Sequence, residues 1–149
     1  MSKVRITKQF NFEMAHALYN YDGPCKNIHG HSYELFVTVI GEPIEDTLSP
    51  KNGMLIDFGE LKKIVKENIV DELDHALVLF NRIHEEQLLC LKNQFSNIKI
   101  VDYQPTSENM LIDFANKLQK VLPPNIKLFS LKLRETITSF AEWYAEDNE

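Results

Sequence analysis

The sequence predicts an α+β fold in one domain spanning residues 1–149, an antiparallel sheet with helices on one face. Three observations predict it. Two strand-like runs open the chain, two stretches of helical periodicity occupy its middle, and two further strand-like runs close it. The resulting order, ββ-α-(irregular)-α-ββ, segregates helices from hairpins.

The first strand follows from Val4, Ile6, Phe10, Phe12 and Met14, which alternate with Arg5, Thr7, Gln9, Asn11 and Glu13 and so give one buried face. The second, SYELFVTVI at 32–40, is rich in aromatic and β-branched residues. Asp22-Gly23-Pro24 marks the loop between them, and Pro43, Pro50 and Lys51-Asn52-Gly53 end the pair. A helix is predicted from Asp57 as N-cap, with Phe58, Leu61, Ile64, Val65, Ile69 and Leu73 spaced by three and four. A second begins at Thr106 after Pro105, carries Met110, Leu111, Phe114, Leu118 and Val121, and stops at Pro123-Pro124. Ile126–Leu133 and Ser139–Tyr144 read as closing strands around Glu135-Thr136. Within 77–104, Leu88, Leu89 and Leu91 suggest a short helix and Ile98–Val101 a strand.

A formal charge of −6 opposes nucleic-acid binding, which calls for a basic stripe. No run approaches the ~18 apolar residues of a membrane span, and the first residues, MSKVRITKQF, lack the apolar core of a signal peptide. Cys25 and Cys90, the only cysteines, form no C-x-x-C pair, so a redox couple is excluded and a cytoplasmic location is expected.

The chemistry concentrates in Cys25-Lys26-Asn27-Ile28-His29-Gly30-His31. His29 and His31 lie two apart on an extended segment and point the same way. His16 shares the parity of Phe10, Phe12 and Met14, so pairing of the first two strands brings three imidazoles together. Three nitrogen donors suit zinc and leave a fourth position open. Two other arrangements remain open at this point: a closed His₃Cys structural site that consumes Cys25, and histidines that merely hydrogen-bond at strand ends. Asp74 and His75 are adjacent, so neither orients the other through a regular strand or helix contact. Glu135, between Arg134 and Thr136, can be a solvated carboxylate paired with arginine.

Six motifs in register carry a family likeness: F-E-M-A-H at 12–16, C-K-N-I-H-G-H at 25–31, I-D-F-G-E-L-K at 56–62, L-D-H at 73–75, P-T-S-E-N at 105–109 and L-R-E-T at 133–136. Together they resemble the 6-pyruvoyl-tetrahydropterin synthase / 6-carboxytetrahydropterin synthase family over nearly the whole chain. The resemblance implies a tunnelling fold, a four-stranded antiparallel sheet with two helices on one face, assembled as a homohexamer of two stacked trimers. It further implies zinc on His16, His29 and His31, Cys25 as catalytic base, Asp74 and His75 as its relay, Glu135 as pterin anchor, and Thr106 at the pterin pocket. The implied substrate is 7,8-dihydroneopterin triphosphate. The expected product is 6-carboxy-5,6,7,8-tetrahydropterin, formed with loss of acetaldehyde and triphosphate for deazapurine (queuosine) biosynthesis. Loss of triphosphate alone, giving the 6-pyruvoyl product, is the alternative, and a non-catalytic zinc-stabilised pterin-binding oligomer is another. The 76–104 segment exceeds the compact connection of many bacterial members, and its His84 and Cys90 are assigned to structure.

Overall fold

Strands β1 (Val4–His16) and β2 (His29–Gly41) pair antiparallel along their full length, from Val4 opposite Gly41 to His16 opposite His29. The computed structural model describes residues 1–149. On the far side of β2 lie β5 (Ile126–Thr136) and then β6 (Ser139–Tyr144), both antiparallel to their neighbours. These four strands are the antiparallel sheet that the hydrophobic alternation predicts.

The sheet is larger than that. β3 (Ala76–Phe80) pairs parallel with β1, and β4 (Ile98–Val101) pairs parallel with β3, giving the order β4-β3-β1-β2-β5-β6. The expectation of four strands and two helices is therefore corrected to six strands and three helices. Both added strands and the added helix α2 (Glu85–Gln94) come from the long 76–104 segment. Ala76-Leu77-Val78-Leu79-Phe80 is apolar throughout, as in a parallel strand covered on both faces, and so shows no alternation. A parallel neighbour needs a crossover, and α2 supplies it between β3 and β4. His84 caps α2, its side chain accepting from the Glu86 N–H at 3.4 Å, and α2 buries none of its residues.

Helix α1 (Phe58–Val65) continues through a π turn (Lys66–Val70) into a last short turn (Asp71–Leu73). Asp57 caps it by accepting from the Gly59 N–H at 2.6 Å. Helix α3 (Ser107–Val121) is capped by Thr106, whose hydroxyl accepts from the Asn109 N–H at 3.2 Å. Leu61, Val65 and Ile69 of the first helical stretch and Met110, Leu111, Phe114 and Leu118 of α3 are buried against Phe10, Phe12, Tyr33, Leu35, Leu131 and Leu133 of the sheet. No helix is long and apolar enough to cross a membrane.

Candidate active site

Along the helix-covered face of β1 and β2 the paired residues run Phe10–Leu35, Phe12–Tyr33, Met14–His31 and His16–His29. The apolar core thus gives way to imidazoles within two register steps. One ring nitrogen from each of His16, His29 and His31 lies within 4.8 Å of the others. His16 is almost fully buried.

Hydrogen bonds fix which nitrogens face inward. His16 Nδ1–H donates to the Pro105 carbonyl at 2.6 Å, and His29 Nδ1–H donates to the Asn27 carbonyl at 2.8 Å. In the neutral rings both Nε2 atoms would then carry lone pairs, and they stand 3.1 Å apart. His31 Nε2 is buried with no hydrogen-bond partner. Burial, above all, pushes the pKa values of His16 and His31 below the usual imidazole range, with their fellow histidines contributing, so both rings are held neutral. Neutral imidazoles oriented by a carbonyl on the opposite nitrogen are what zinc binds, so these residues fit the ion that the resemblance implies.

Glu135 reaches the same point. It keeps the parity of the buried Leu131 and Leu133, and it is the extra residue of a β-bulge, since Arg134 pairs with Phe140 and Thr136 with Ser139. A bulge releases a residue from the ladder and re-aims its side chain. Glu135 Oε1 lies 3.4 Å from His31 Nε2 and 3.5 Å from His16 Nε2. Arg134 is engaged elsewhere, with Glu34 at 3.4 Å and the Ile137 carbonyl at 2.7 Å, so the expected arginine partnership is absent.

Cys25 sits in a single 3₁₀ turn (Pro24–Lys26), half-buried and free of any disulfide. Its sulfur is not among the converging donors, which disfavours the closed His₃Cys arrangement. Asp74 and His75 do touch one another, Oδ2 to Nδ1 at 3.1 Å, contrary to the expectation from their adjacency. His75 has φ +63°, outside regular strand or helix geometry, and this local twist lets the neighbours meet. Asp74 is anchored by the Glu13 N–H at 2.9 Å, which holds its carboxyl below the ordinary carboxylate range. No hydrogen bond or ion pair links this pair to Cys25 or to the three histidines. His75 is largely exposed, beside a cavity of about 800 Å³ that Glu13, Ser32, Phe95 and Asn97 also line. Thr106 stands next to Pro105, its hydroxyl committed to the cap of α3.

Two residues escaped the sequence reading. Tyr33 is completely buried, edge-on to His16 and His31, and its hydroxyl has no partner. Burial and the neighbouring Glu135 and Cys25 raise its pKa, so the proton stays on. Ser107, at the start of α3, likewise buries an unpartnered hydroxyl. With His31 Nε2 these are the three orphaned buried side-chain atoms of the chain. Such orphans are few in native proteins and call for a local explanation. The place of Tyr33 two residues after His31, at the parity of both histidines, was the available signal.

Known proteins resemble this chain in sequence and in fold. A 6-carboxy-5,6,7,8-tetrahydropterin synthase of Haemophilus influenzae is 36% identical over 141 residues, covering 93% of this chain and 97% of that protein. The human 6-pyruvoyl tetrahydrobiopterin synthase is 28% identical over 157 residues, covering 97% and 93%. The structure of Caenorhabditis elegans 6-pyruvoyl tetrahydropterin synthase superposes with a TM-score of 0.69 at 25% identity over 97% of each chain. The family described as 6-pyruvoyl tetrahydropterin synthase matches residues 5–146, nearly the whole length, and the chain belongs to that family.

Proposed function

We propose that the chain is a zinc-dependent lyase that converts 7,8-dihydroneopterin triphosphate into 6-carboxy-5,6,7,8-tetrahydropterin, releasing acetaldehyde and triphosphate, in deazapurine (queuosine) biosynthesis. The observation that carries this reading is the convergence of three imidazoles, two of them oriented by carbonyls, with the Cys25 thiol left outside the donor set. The carboxy-forming product is favoured by the 36% identity to the Haemophilus influenzae synthase, against 28% to the human pyruvoyl-forming one.

His16, His29 and His31 would hold the ion, which would supply a Lewis acid for the oxygens of the substrate side chain. Glu135 accepts hydrogen bonds from the 2-amino group and ring N–H of the pterin, a bidentate contact that sets its orientation. Cys25 removes a proton from the side-chain carbon, and Asp74–His75 passes that proton on. Thr106 borders the pterin. The outward-facing Asp74–His75 pair, remote from Cys25 in contacts, supports an active site completed by another copy of the chain. Association is also supported by exposed Leu89 and Phe95 around α2 and by the apolar cavity of about 780 Å³ between α2 and residues 17–28. We assign a homohexamer of two trimers.

Incubation of the zinc-loaded protein with 7,8-dihydroneopterin triphosphate, followed by product mass, tests the reading. The carboxy product with acetaldehyde is expected. The pyruvoyl product would move the chain to the other activity of its family, and unchanged substrate would leave a non-catalytic pterin-binding oligomer.

A further inference from the structure

We propose that Glu135 is a fourth ligand of the metal held by His16, His29 and His31, and that it leaves this position when a pterin binds. The proposal rests on the reading of Glu135 as pterin anchor and adds a second role for the same carboxylate.

Geometry points there first. Tetrahedral coordination with bonds of about 2.0–2.1 Å places adjacent donor atoms about 3.3 Å apart. Three separations match this, 3.1 Å for His16–His29, 3.4 Å for His31–Glu135 and 3.5 Å for His16–Glu135; the carboxylate is not yet close to His29 and joins the three converging nitrogens by a shift toward that ring. Chemistry points the same way. With Nδ1–H committed on His16 and His29, the inward nitrogens of the neutral rings would be acceptors, and carboxylate oxygens accept as well. His31 Nε2 forms no hydrogen bond to the carboxylate despite its nearness. Acceptors gathered at these distances repel one another unless a cation lies among them. The adjacent Arg134 does not hold Glu135 at the site, being turned to Glu34 and to the Ile137 carbonyl, and the one other group beside the carboxylate is the Tyr33 hydroxyl. The β-bulge is the local device that lets this one carboxylate depart from the ladder toward the histidines.

Anchoring a pterin requires both carboxylate oxygens as acceptors for two N–H donors. A carboxylate oxygen that gives electron density to the metal is a weaker acceptor for the pterin N–H groups, so the two ligands oppose one another at Glu135. Linkage makes the competition reciprocal: a pterin lacking the side chain weakens zinc binding by the factor by which zinc weakens that pterin.

Zinc affinity of the full-length protein, measured by competition with a chromophoric chelator, tests this. Glu135→Gln is expected to loosen zinc about tenfold or more, comparable to disturbing a metal site's supporting groups or worse, with an unchanged circular dichroism spectrum. In the wild type, 7,8-dihydropterin without a C6 side chain is expected to loosen zinc, and in Glu135→Gln to leave it unchanged. Equal zinc affinity in Glu135→Gln and wild type overturns the proposal while leaving the anchor reading intact. Absence of antagonism in a wild type that binds dihydropterin also overturns it, without recourse to any variant. Failure of the wild type to bind dihydropterin removes the pterin reading, and the zinc arm alone then decides whether Glu135 is a ligand.

Discussion

Tyr33→Phe separates stability from function at this site. The hydroxyl is completely buried and has no hydrogen-bond partner. Folding strips it of water without replacing the lost bonds, which costs about 1–3 kcal/mol. Phenylalanine removes that oxygen and keeps the ring, including its stack on Phe12 at 5.2 Å and 13°. The metal-free variant should therefore be more stable by about 1–3 kcal/mol, raising Tm by about 2–4 °C for each kcal/mol in a chain of this size. Urea denaturation at matched protein concentration is the assay, with a higher midpoint and an unchanged slope expected. Turnover should fall, because the lost group is a protonated donor set beside Glu135 and Cys25. A variant destabilised by 1 kcal/mol or more would refute the reasoning, since the hydroxyl must then be satisfied in the native protein.

Cys25→Ser should lower turnover about a hundredfold or more while zinc affinity stays at the wild-type value, and loss of zinc would make the thiol a ligand. His75→Ala should reduce turnover by a similar factor of about a hundred with zinc content intact. Oligomers refolded from a mixture of Cys25→Ser and His75→Ala chains should regain activity, because some sites then draw both groups from different copies; no recovery would place the pair within one chain. Gly30→Ala would set a Cβ 3.3 Å from the Met14 carbonyl oxygen, a backbone atom held in the sheet. The strands must spread between His29 and His31, so stability should drop by about 1–3 kcal/mol and zinc binding should weaken, both measurable by denaturation and chelator competition.

Much of this was legible in the chain. Alternation in residues 4–14 and 32–40 fixed the faces of β1 and β2, and face plus adjacency was enough to bring His16, His29 and His31 together. Asp57 and Thr106 announced their helices because a capping oxygen must precede an unsatisfied helix start. Ala76–Phe80 was illegible for a physical reason: a strand apolar on both faces has no polar alternation to reveal it. Glu135 could be placed only as a strand-end carboxylate, because a bulge depends on how two strands register and not on the residues of one. The Asp74–His75 contact was hidden likewise, since it requires the positive φ of His75. The orphaned hydroxyls of Tyr33 and Ser107 are statements about missing partners, which no single segment contains.

The register of β1 on β2 is a fold property and a site property at once. Side chains alternate faces with period two, so a slip of one residue would move His16, or His29 and His31, to the opposite face and dissolve the donor set. The same slip would expose Phe10, Phe12, Tyr33 and Leu35, which are buried. The apolar half of the strand pair thus holds the register on which the polar half depends, and three histidines can remain crowded at its end because the buried pairs beside them resist rearrangement. A ligand that binds only this register adds stability in proportion to the logarithm of its free concentration over its Kd. Metal binding and β1–β2 pairing are therefore thermodynamically coupled, and variants that loosen either must weaken the other.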